Sequence, residues 1–286
     1  MGPLADRVFI GIQYLLPQHF LSRVVGFVAR SRIGLVRTAL IRAFLGRFPV
    51  DLSEAVHREP GAYASFNEFF TRRLRAGVRP FDPEPRAALC PVDGLVSQAG
   101  AIEGDALVQA KGLRYSVSEL LAADAALASE FAGGMFATLY LAPHNYHRVH
   151  MPLAGTLRSA QIVPGDLFSV NAATADAVPR LFSRNERIAC VFDTAAGPMA
   201  VVLVGALFVG SMSLSWSGVI RSRSRRGPEA LPARDPQVAL DRGAELGWFN
   251  MGSTVVVMFA SGGPRLAEGI VPGRAVRLGG RLAMQP

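Results

Sequence analysis

Cysteine and lysine are scarce in this 286-residue chain, and each shortage narrows the possible classes of protein. The two cysteines, Cys90 and Cys190, lie far apart without metal-ligand spacing, so we expect no disulfide framework and no metal site. Lys111 is the single lysine among 30 basic residues, and arginine therefore supplies nearly all of a net charge of +8. Such a charge favours an anionic partner, either nucleic acid or a membrane surface, and does not choose between them.

The sequence predicts neither an export signal nor a membrane-spanning helix. The first residues lack a compact basic-then-apolar export signal, because Asp6 and Arg7 come early and Pro17 interrupts the apolar stretch. We therefore expect no export. The segment from Thr194 to Ile220 carries no formal charge and is long enough to cross a bilayer. Glycines interrupt its β-branched runs, so we predict successive buried strands with turns rather than a membrane-spanning helix.

The first fifty residues have a helical pattern. Apolar residues recur at helical spacing in three stretches, 4–16, 20–28 and 33–45, which predicts three short amphipathic helices. Seven arginines stand against the single acid Asp6 in this region: Arg7, Arg23, Arg30, Arg32, Arg37, Arg42 and Arg47. Basic amphipathic helices suit a membrane interface. An amphipathic helix more often packs its apolar face on its own domain, and the pattern alone favours that packing.

From about residue 80 onward the chain consists of short β-rich runs separated by glycine and proline. We predict an α+β fold in which amphipathic N-terminal helices are appended to a mainly antiparallel β catalytic core. The predicted boundary separates a helical membrane-docking region, 1–62, from a β-rich catalytic domain, 63–286. The arginine-rich stretch 221–236 contains three prolines and predicts an exposed loop.

Three separated segments offer an acid, a base and a nucleophile. They are residues 91–94 with Asp93, residues 146–152 with His147 and His150, and residues 251–254 with Ser253. Serine becomes a good nucleophile when an imidazole takes its proton and a carboxylate orients that imidazole. Asp93, His150 and Ser253 could supply these roles. Each motif by itself is weak, and Gly210-Ser211 is a second Gly-Ser pair that spacing does not exclude.

Taken together and in this order, Pro-Val-Asp-Gly, Tyr-His-Arg-Val-His-Met-Pro and Gly-Ser-Thr resemble the bacterial, membrane-associated phosphatidylserine decarboxylases. The resemblance covers essentially the full length of the chain. It extends to segments outside the three catalytic motifs, namely residues 66–72, 111–116, 164–171, 185–187 and 243–249.

The resemblance implies a zymogen that cleaves itself between Gly252 and Ser253 into a long chain, 1–252, and a short chain, 253–286. Ser253 would become a covalent pyruvoyl cofactor at the start of the short chain. Asp93, His150 and Ser253 would form the maturation triad, and His147 would serve substrate positioning or proton transfer. The pyruvoyl carbonyl would form a Schiff base with the amine of phosphatidylserine, and loss of carbon dioxide would give phosphatidylethanolamine, a step of phospholipid biosynthesis.

The implied partners are the phosphatidylserine substrate, an anionic membrane surface and a second copy in a homodimer. The two cleavage fragments would stay associated with each other, and no nucleic acid is expected. The implied location is peripheral, on the cytoplasmic side of the cell membrane. Three alternatives stay open: a serine hydrolase using Asp93, His150 and Ser253, a pyruvoyl decarboxylase acting on a soluble amino acid, and a non-enzymatic membrane adaptor. A pyruvoyl at position 253 would exclude the hydrolase, and decarboxylase activity would exclude the adaptor.

Overall fold

A computed structural model describes residues 3–208, 211–220, 227–231 and 237–286. Pro17 separates the first two helices, because proline lacks the backbone N–H that a helix interior needs. The third helix ends at Arg47, just before Phe48 and Pro49, as predicted. The described helices are α1 Pro3–Leu15, α2 Gln18–Ala29, α3 Gly34–Arg47, α4 Phe66–Phe70, α5 Val117–Leu121, α6 Ala125–Ser129, α7 Ala172–Ala175 and α8 Leu181–Arg184, with a 3-10 turn at Pro60–Ala62.

The rest of the described chain is mainly β-structure, and its paired strands are antiparallel. This confirms the predicted α+β class. The strands are β1 Ala87–Leu89, β2 Gly94–Ala101, β3 Ala106–Ala110, β4 Leu113–Ser116, β5 Met135–Leu141, β6 Arg148–His150, β7 Gly155–Val163, β8 Arg187–Thr194, β9 Gly197–Gly205, β10 Met212–Leu214, β11 Gly218–Ile220, β12 Glu229–Ala230, β13 Ala239–Leu240, β14 Glu245–Phe249, β15 Ser253–Phe259, β16 Arg265–Leu266, β17 Ala275–Val276 and β18 Arg281–Met284.

The largest sheet has the strand order β12-β7-β8-β9-β15-β5-β2-β17, with β13 also paired to β7. Its strand β15 lies between β9 and β5, and all seven residues of β15 are buried. The first residue of β15, Ser253, pairs with Leu141 on one side and Gly205 on the other. A continuous run of apolar residues suits such a strand, because both of its faces are covered. The segment that follows residue 252 therefore supplies the interior of the sheet.

The charge-free segment 194–220 forms strands rather than a membrane helix. It contains the end of β8 and the whole of β9, β10 and β11, so the prediction of strands with turns is confirmed. Within the described ranges, no helix combines the length and the apolar character that crossing a bilayer requires. The predicted loop at 221–236 lies mostly outside the described residues. Its described part, 227–231, contains the short strand β12, where the loop prediction is wrong.

The helices α1 and α2 turn a face of polar and small residues toward the core, whereas an amphipathic helix usually turns its apolar face inward. The inward residues of α2 are polar or small, namely Gln18, Ser22, Gly26 and Ala29. Gln18 and Gln13 accept hydrogen bonds from the backbone N–H groups of Leu167 and Ser169 at 2.6 and 2.7 Å. Many of the large apolar side chains point outward instead, although Ile10 packs on the main core. The pattern-based preference for an inward apolar face is therefore wrong for these two helices.

The helix α3 packs conventionally. Ile41 is fully buried, and Leu40, Phe44 and Leu45 contact the same group of side chains. We call this group the aromatic cluster, and its buried members are Ala29, Ile41, Tyr63, Phe66, Phe69 and Phe70. Ser65 begins α4 by accepting a hydrogen bond from the backbone N–H of Glu68, a standard helix cap. The cap and the cluster hold α4 against the segment that precedes β15, because Met251 also packs on the cluster.

Candidate active site

The predicted site residues lie at the ends of strands that meet in the fold. Asp93 immediately precedes β2, His150 ends β6, and Ser253 begins β15. The strand β5 pairs with both β2 and β15. The strand β6 pairs with β14, and the backbone N–H of Phe249 donates to the carbonyl of His147 at 3.0 Å. Strand pairing thus brings the histidine segment next to the chain that leads into Ser253.

Ser253 has a buried hydroxyl that lacks a hydrogen-bond partner. The residue is 1% exposed, and its Oγ has no acceptor or donor within reach among the described groups. The rival serine, Ser211, differs, because its Oγ accepts hydrogen bonds from Arg30 and Asn250 at 2.7 and 2.9 Å. Most buried polar atoms in proteins are bonded, and an unbonded hydroxyl calls for a chemical explanation.

The residue before this serine has a conformation that favours glycine. Gly252 has a φ of +25°, and a Cβ added there would meet no atom within 4 Å. A residue with a side chain at position 252 would therefore be strained by its backbone conformation and not by a steric clash. The carbonyl group of this unhindered glycine is the one that Ser253 follows in the chain.

His147 is a buried, neutral imidazole. Its ring stacks on Phe70 with centroids 4.1 Å apart, and its Nε2 lies 3.3 Å from the carbonyl oxygen of Pro143. Pro143 lies two residues after Leu141, the partner of Ser253 in the sheet, so His147 contacts the segment that leaves β5 next to the start of β15. Burial, reinforced by the charge of Arg72, lowers the pKa of His147 to about 3. With Nε2–H donating to Pro143, the buried and unpartnered Nδ1 carries the free lone pair.

His150 is held by two different groups. Its Nδ1 lies 2.8 Å from the carbonyl oxygen of Gly243, and its Nε2 lies 3.1 Å from the hydroxyl of Tyr146. Because a carbonyl only accepts, Nδ1–H is the donor, and Nε2 accepts from the tyrosine. Burial lowers the pKa of His150, an effect opposed by the Gly243 hydrogen bond and by the carboxylates of Glu245 and Asp93. At neutral pH the ring is therefore a base with its lone pair on Nε2.

Asp93 does not orient His150 through a hydrogen bond, in contrast to the arrangement expected for a triad. Its carboxylate accepts from Nε and Nη2 of Arg79 at 3.0 and 2.6 Å and from the backbone N–H of Leu278 at 2.9 Å. A planar guanidinium matches a carboxylate in this two-point geometry, which explains why Arg79 occupies the acid. The carbonyl of Gly243 fixes the His150 tautomer instead, and Asp93 acts on His150 only through its charge.

The Asp93 ion pair also joins the two sides of the predicted cleavage point. Arg79 bonds to Glu54 at 2.6 Å, and Glu54 in turn pairs with Arg277 at 3.2 Å. Leu278 and Arg277 lie after residue 252, whereas the acids and Arg79 lie before it. Asp93 therefore contributes to contacts between the predicted long and short chains.

Several residues of the site received no role from the sequence. Arg79 lies in an arginine-rich stretch that looks like a solvated surface, and no sequence signal pairs it with Asp93. Tyr146 and Gly243 belong to the segments that carried the family resemblance, but their contacts with His150 depend on the fold. Phe70 and Arg72 follow one another closely at the end of α4, and only the tertiary packing brings them to His147.

Comparison with known proteins gives full-length matches. The family model described as phosphatidylserine decarboxylase matches residues 66–284, and a second model, described as PSD, matches residues 8–49. Proteins named phosphatidylserine decarboxylase proenzyme are similar along almost the whole chain. One from Azotobacter vinelandii is 51% identical over 278 residues, covering 96% of this chain and 97% of the relative. Others from Alcanivorax borkumensis and Bordetella pertussis are 49% and 52% identical, covering 98% and 90% of this chain and 96% and 87% of the relatives.

Proposed function

Since this chain belongs to the phosphatidylserine decarboxylase family and is a decarboxylase, we propose that it converts phosphatidylserine to phosphatidylethanolamine with a pyruvoyl group made from its own Ser253. The observation that carries the proposal is the buried, unpartnered hydroxyl of Ser253 directly after Gly252, at the first residue of an interior strand. The word proenzyme in the names of the relatives supports a chain that is made as a precursor.

Maturation would begin when Ser253 Oγ attacks the carbonyl carbon of Gly252. The C–N bond breaks, an ester forms, and the hydroxyl proton passes to a base. Loss of the α-proton of residue 253 then expels Gly252 as a carboxylate and leaves dehydroalanine at the new chain start. Tautomerisation and hydrolysis release ammonia and give the pyruvoyl group. The glycine conformation at 252 supports this route, because it leaves the attacked carbonyl unhindered.

We assign the base of maturation to His150. Its Nε2 carries a lone pair, because Nδ1–H is committed to the Gly243 carbonyl. Tyr146 donates to that lone pair, so its hydroxyl must turn away or relay the proton when His150 acts. The negative charge of Asp93 supports the same role, since it stabilises the imidazolium that forms.

The residues around position 253 fit a pyruvoyl group. It would replace the serine hydroxyl that has no partner, at a chain start held between Leu141 and Gly205. A pyruvoyl group there supplies a ketone for the substrate amine and an electron sink for the loss of carbon dioxide. The unpartnered Nδ1 of the neutral His147 ring can accept a hydrogen bond from the substrate amine and so orient it, which supports a role in substrate positioning.

The outward face of α1 and α2 supports peripheral docking on a membrane, on the cytoplasmic side. Leu15 and Phe27 are 86% and 82% exposed, and Phe20 is 60% exposed. Exposed apolar residues on neighbouring helices form a surface that membranes or other proteins cover. Exposed arginines such as Arg23 and Arg42 lie in the same region, and positive charge favours an anionic bilayer. The substrate is itself an anionic lipid of that bilayer.

The division into a docking region, 1–62, and a catalytic domain, 63–286, belongs to the same proposal. The two family models match on either side of this boundary, which supports it. A homodimer stays a prediction from the family resemblance.

The proposal is tested by supplying the purified protein with vesicles that contain phosphatidylserine. We expect release of carbon dioxide and an equal amount of phosphatidylethanolamine, both absent with Ser253→Ala. Ser211→Ala is the matched control, because it removes the other serine that follows a glycine, and it should leave the product ratio unchanged. Absence of product from a fully cleaved wild-type protein would contradict the proposed substrate.

A further inference from the structure

Buried polar atoms without partners occur in three segments that contact one another. They include Ser253 Oγ, His147 Nδ1, and Nε and Nη1 of Arg72. Contacts connect these residues: Phe70 stacks on His147, Arg72 lies two residues further along, and Met251 packs on the aromatic cluster that contains Phe70. The first two of these atoms have roles in the proposed chemistry. Arg72 has none, and it is the strongest donor of the group.

Arg72 is a buried cation without a described carboxylate partner. The residue is 5% exposed, and Nη2 alone has acceptors, the carbonyl oxygens of His144 and Asn145 at 2.8 and 3.3 Å. The other two nitrogens make no hydrogen bond. The guanidinium also lies 6.0 Å from the centroid of the Phe69 ring. Leaving buried donors unsatisfied destabilises the folded chain, so two free donors on a buried arginine point to an acceptor that binds there.

The positive charge of the guanidinium favours an oxyanion as the acceptor, because hydrogen bonds between two charged groups are the stronger ones. Phosphatidylserine carries two such groups, a carboxylate and a phosphodiester. An ion pair to the carboxylate would stabilise the group that leaves as neutral carbon dioxide and would slow the reaction. The phosphodiester keeps its charge from substrate to product, so binding it opposes no step.

We propose that Arg72 binds the phosphodiester of the lipid headgroup through Nε and Nη1 and so positions the serine moiety at residue 253. This subsite rests on the proposed function. Three groups would contact the substrate. Arg72 binds the phosphate, His147 contacts the amine, and the amine reacts with the group at residue 253. Arginine suits the task because its planar fork can contact two phosphate oxygens at once.

A second oxyanion could compete for the same donors, namely the carboxylate of Gly252 that self-cleavage creates. Asn67 donates to the carbonyl of Asn250 at 2.8 Å, so the segment before the cleavage point lies against α4, close in sequence to Arg72. The two sources differ in when they matter. A phosphate site affects the mature enzyme and its lipid, whereas a carboxylate site affects cleavage and the assembly of the fragments.

The test compares Arg72→Gln and Arg72→Lys with Arg73→Gln, which alters an exposed arginine next door. Each protein is first assayed for self-cleavage by mass and for thermal unfolding. Steady-state kinetics with a short-chain phosphatidylserine then separate KM from kcat. Phosphorus NMR titration with a short-chain phosphatidylmethanol, a phosphodiester without amine or carboxylate, measures binding without any reaction.

We expect Arg72→Gln to cleave normally, to raise KM by about tenfold or more with a smaller effect on kcat, and to weaken phosphatidylmethanol binding to a similar degree. Arg72→Lys should lie in between, and Arg73→Gln should match the wild type. Unchanged KM and unchanged binding in Arg72→Gln would overturn the subsite. If Arg72→Gln fails to fold, Arg72→Lys decides by the same two measurements.

Loss of cleavage in both Arg72 variants with intact thermal unfolding would also overturn the subsite, by assigning Arg72 to the Gly252 carboxylate. The proposed function fails in a different way. A wild-type protein that binds phosphatidylmethanol but releases no carbon dioxide would contradict the reaction, while the comparison of binding between wild type and Arg72→Gln would still decide the subsite.

Discussion

At the scale of single residues, the site is defined by buried groups whose hydrogen bonds are incomplete. Ser253 and His147 both lie inside the protein with an unpartnered atom, although most buried polar atoms are bonded. Such atoms destabilise the folded chain, and they are expected where reaction or substrate binding later provides the partner. The cost at these two positions is therefore consistent with a chain built to react at residue 253.

Gly252 offers a direct test of the route to cleavage. We predict that Gly252→Ala folds normally and cleaves about tenfold or more slowly, because an alanine at a φ of +25° is strained by roughly 1–2 kcal/mol and shifts the attacked carbonyl. The appearance of the short fragment over time, followed by denaturing gel, gives the rate. Gly34→Ala in α3, where a Cβ also meets nothing within 4 Å, is the control for adding a methyl group. An unchanged rate in Gly252→Ala would refute the conformational argument.

The buried ring of His147 leads us to predict that the free energy of unfolding decreases as the pH falls. Its pKa is about 3 in the folded chain and 6.5 ordinarily, so between these values the unfolded chain binds a proton that the folded chain does not. The free energy of unfolding is therefore not reduced by this group above pH 6.5, and it decreases as the pH falls from 6.5 toward 3. Between pH 7 and pH 5 this amounts to a loss of about 2 kcal/mol.

Urea unfolding of the uncleaved Ser253→Ala chain at the two pH values measures this loss. Adding His147→Gln should reduce the difference in unfolding free energy, whereas His57→Gln, at an exposed position, should not. If the free energy of unfolding changes equally with pH in the chains with and without His147, burial of this ring does not set its charge state.

The sequence could nominate candidate reacting residues but not their partners. Asp93, His147, His150 and Ser253 came from short motifs taken in order, and the fold places each of them in or next to a strand end. The partner of Asp93 could not be predicted, because Arg79 is one of many arginines and the mostly irregular stretch of 14 residues that brings it to Asp93 has no sequence signature. For the same reason the Gly243 carbonyl, a backbone group, could not be foreseen as the partner of His150.

At the scale of elements, α1 and α2 attach to the core largely through amides and small residues and leave many of their large apolar side chains exposed. The glutamines at 13 and 18 satisfy backbone groups of the loop at 165–169, which fixes the orientation of both helices. The three helices could be predicted from the sequence, but α3 is not amphipathic as predicted, because its apolar residues are spread around the helix. Which face turns inward could not, because a polar side chain such as Gln18 is buried only when the loop supplies its hydrogen bonds.

We predict that Phe20→Gln with Phe27→Gln weakens binding to vesicles of anionic lipid by about tenfold or more without lowering the melting temperature. Each exposed phenylalanine that enters the bilayer gains roughly 1.5–3 kcal/mol, which these changes remove. Cosedimentation with vesicles gives the binding constant. The control pair Val219→Gln and Val271→Gln alters two exposed apolar side chains, 53% and 54% exposed, outside the helices. Equal weakening by both pairs would contradict docking through α1 and α2.

At the scale of the whole molecule, cleavage after residue 252 would cut the chain at the entrance to the largest sheet. The predicted short chain supplies β15 in its interior, and it also supplies β17 and β18, which pair with β2 and β1. The antiparallel core could be predicted from the alternation of β-rich runs and turns. The interior position of β15 could not, because strand order depends on pairings between residues more than a hundred positions apart.

The two fragments should therefore remain one particle after cleavage. Burial of the five apolar residues from Val255 to Phe259 alone contributes roughly 10 kcal/mol, and the Asp93 contact to Leu278 adds a buried hydrogen bond. Size-exclusion chromatography of the cleaved protein should show both fragments in one peak, and they should separate only in denaturant. Elution of a free short fragment under native conditions would show that β15 is not held as the structure indicates.

The central claim is that Ser253 is converted into a pyruvoyl group by self-cleavage. Intact mass under denaturing conditions, measured for wild type and Ser253→Ala, tests it most directly, together with a carbonyl-specific label on the short fragment. We predict two fragments in the wild type, the shorter beginning at residue 253 with the mass of a pyruvoyl and reacting with the label, and one unbroken chain in Ser253→Ala. An unbroken wild-type chain, or a short fragment that still begins with serine, would contradict the claim and favour a hydrolase or a membrane adaptor.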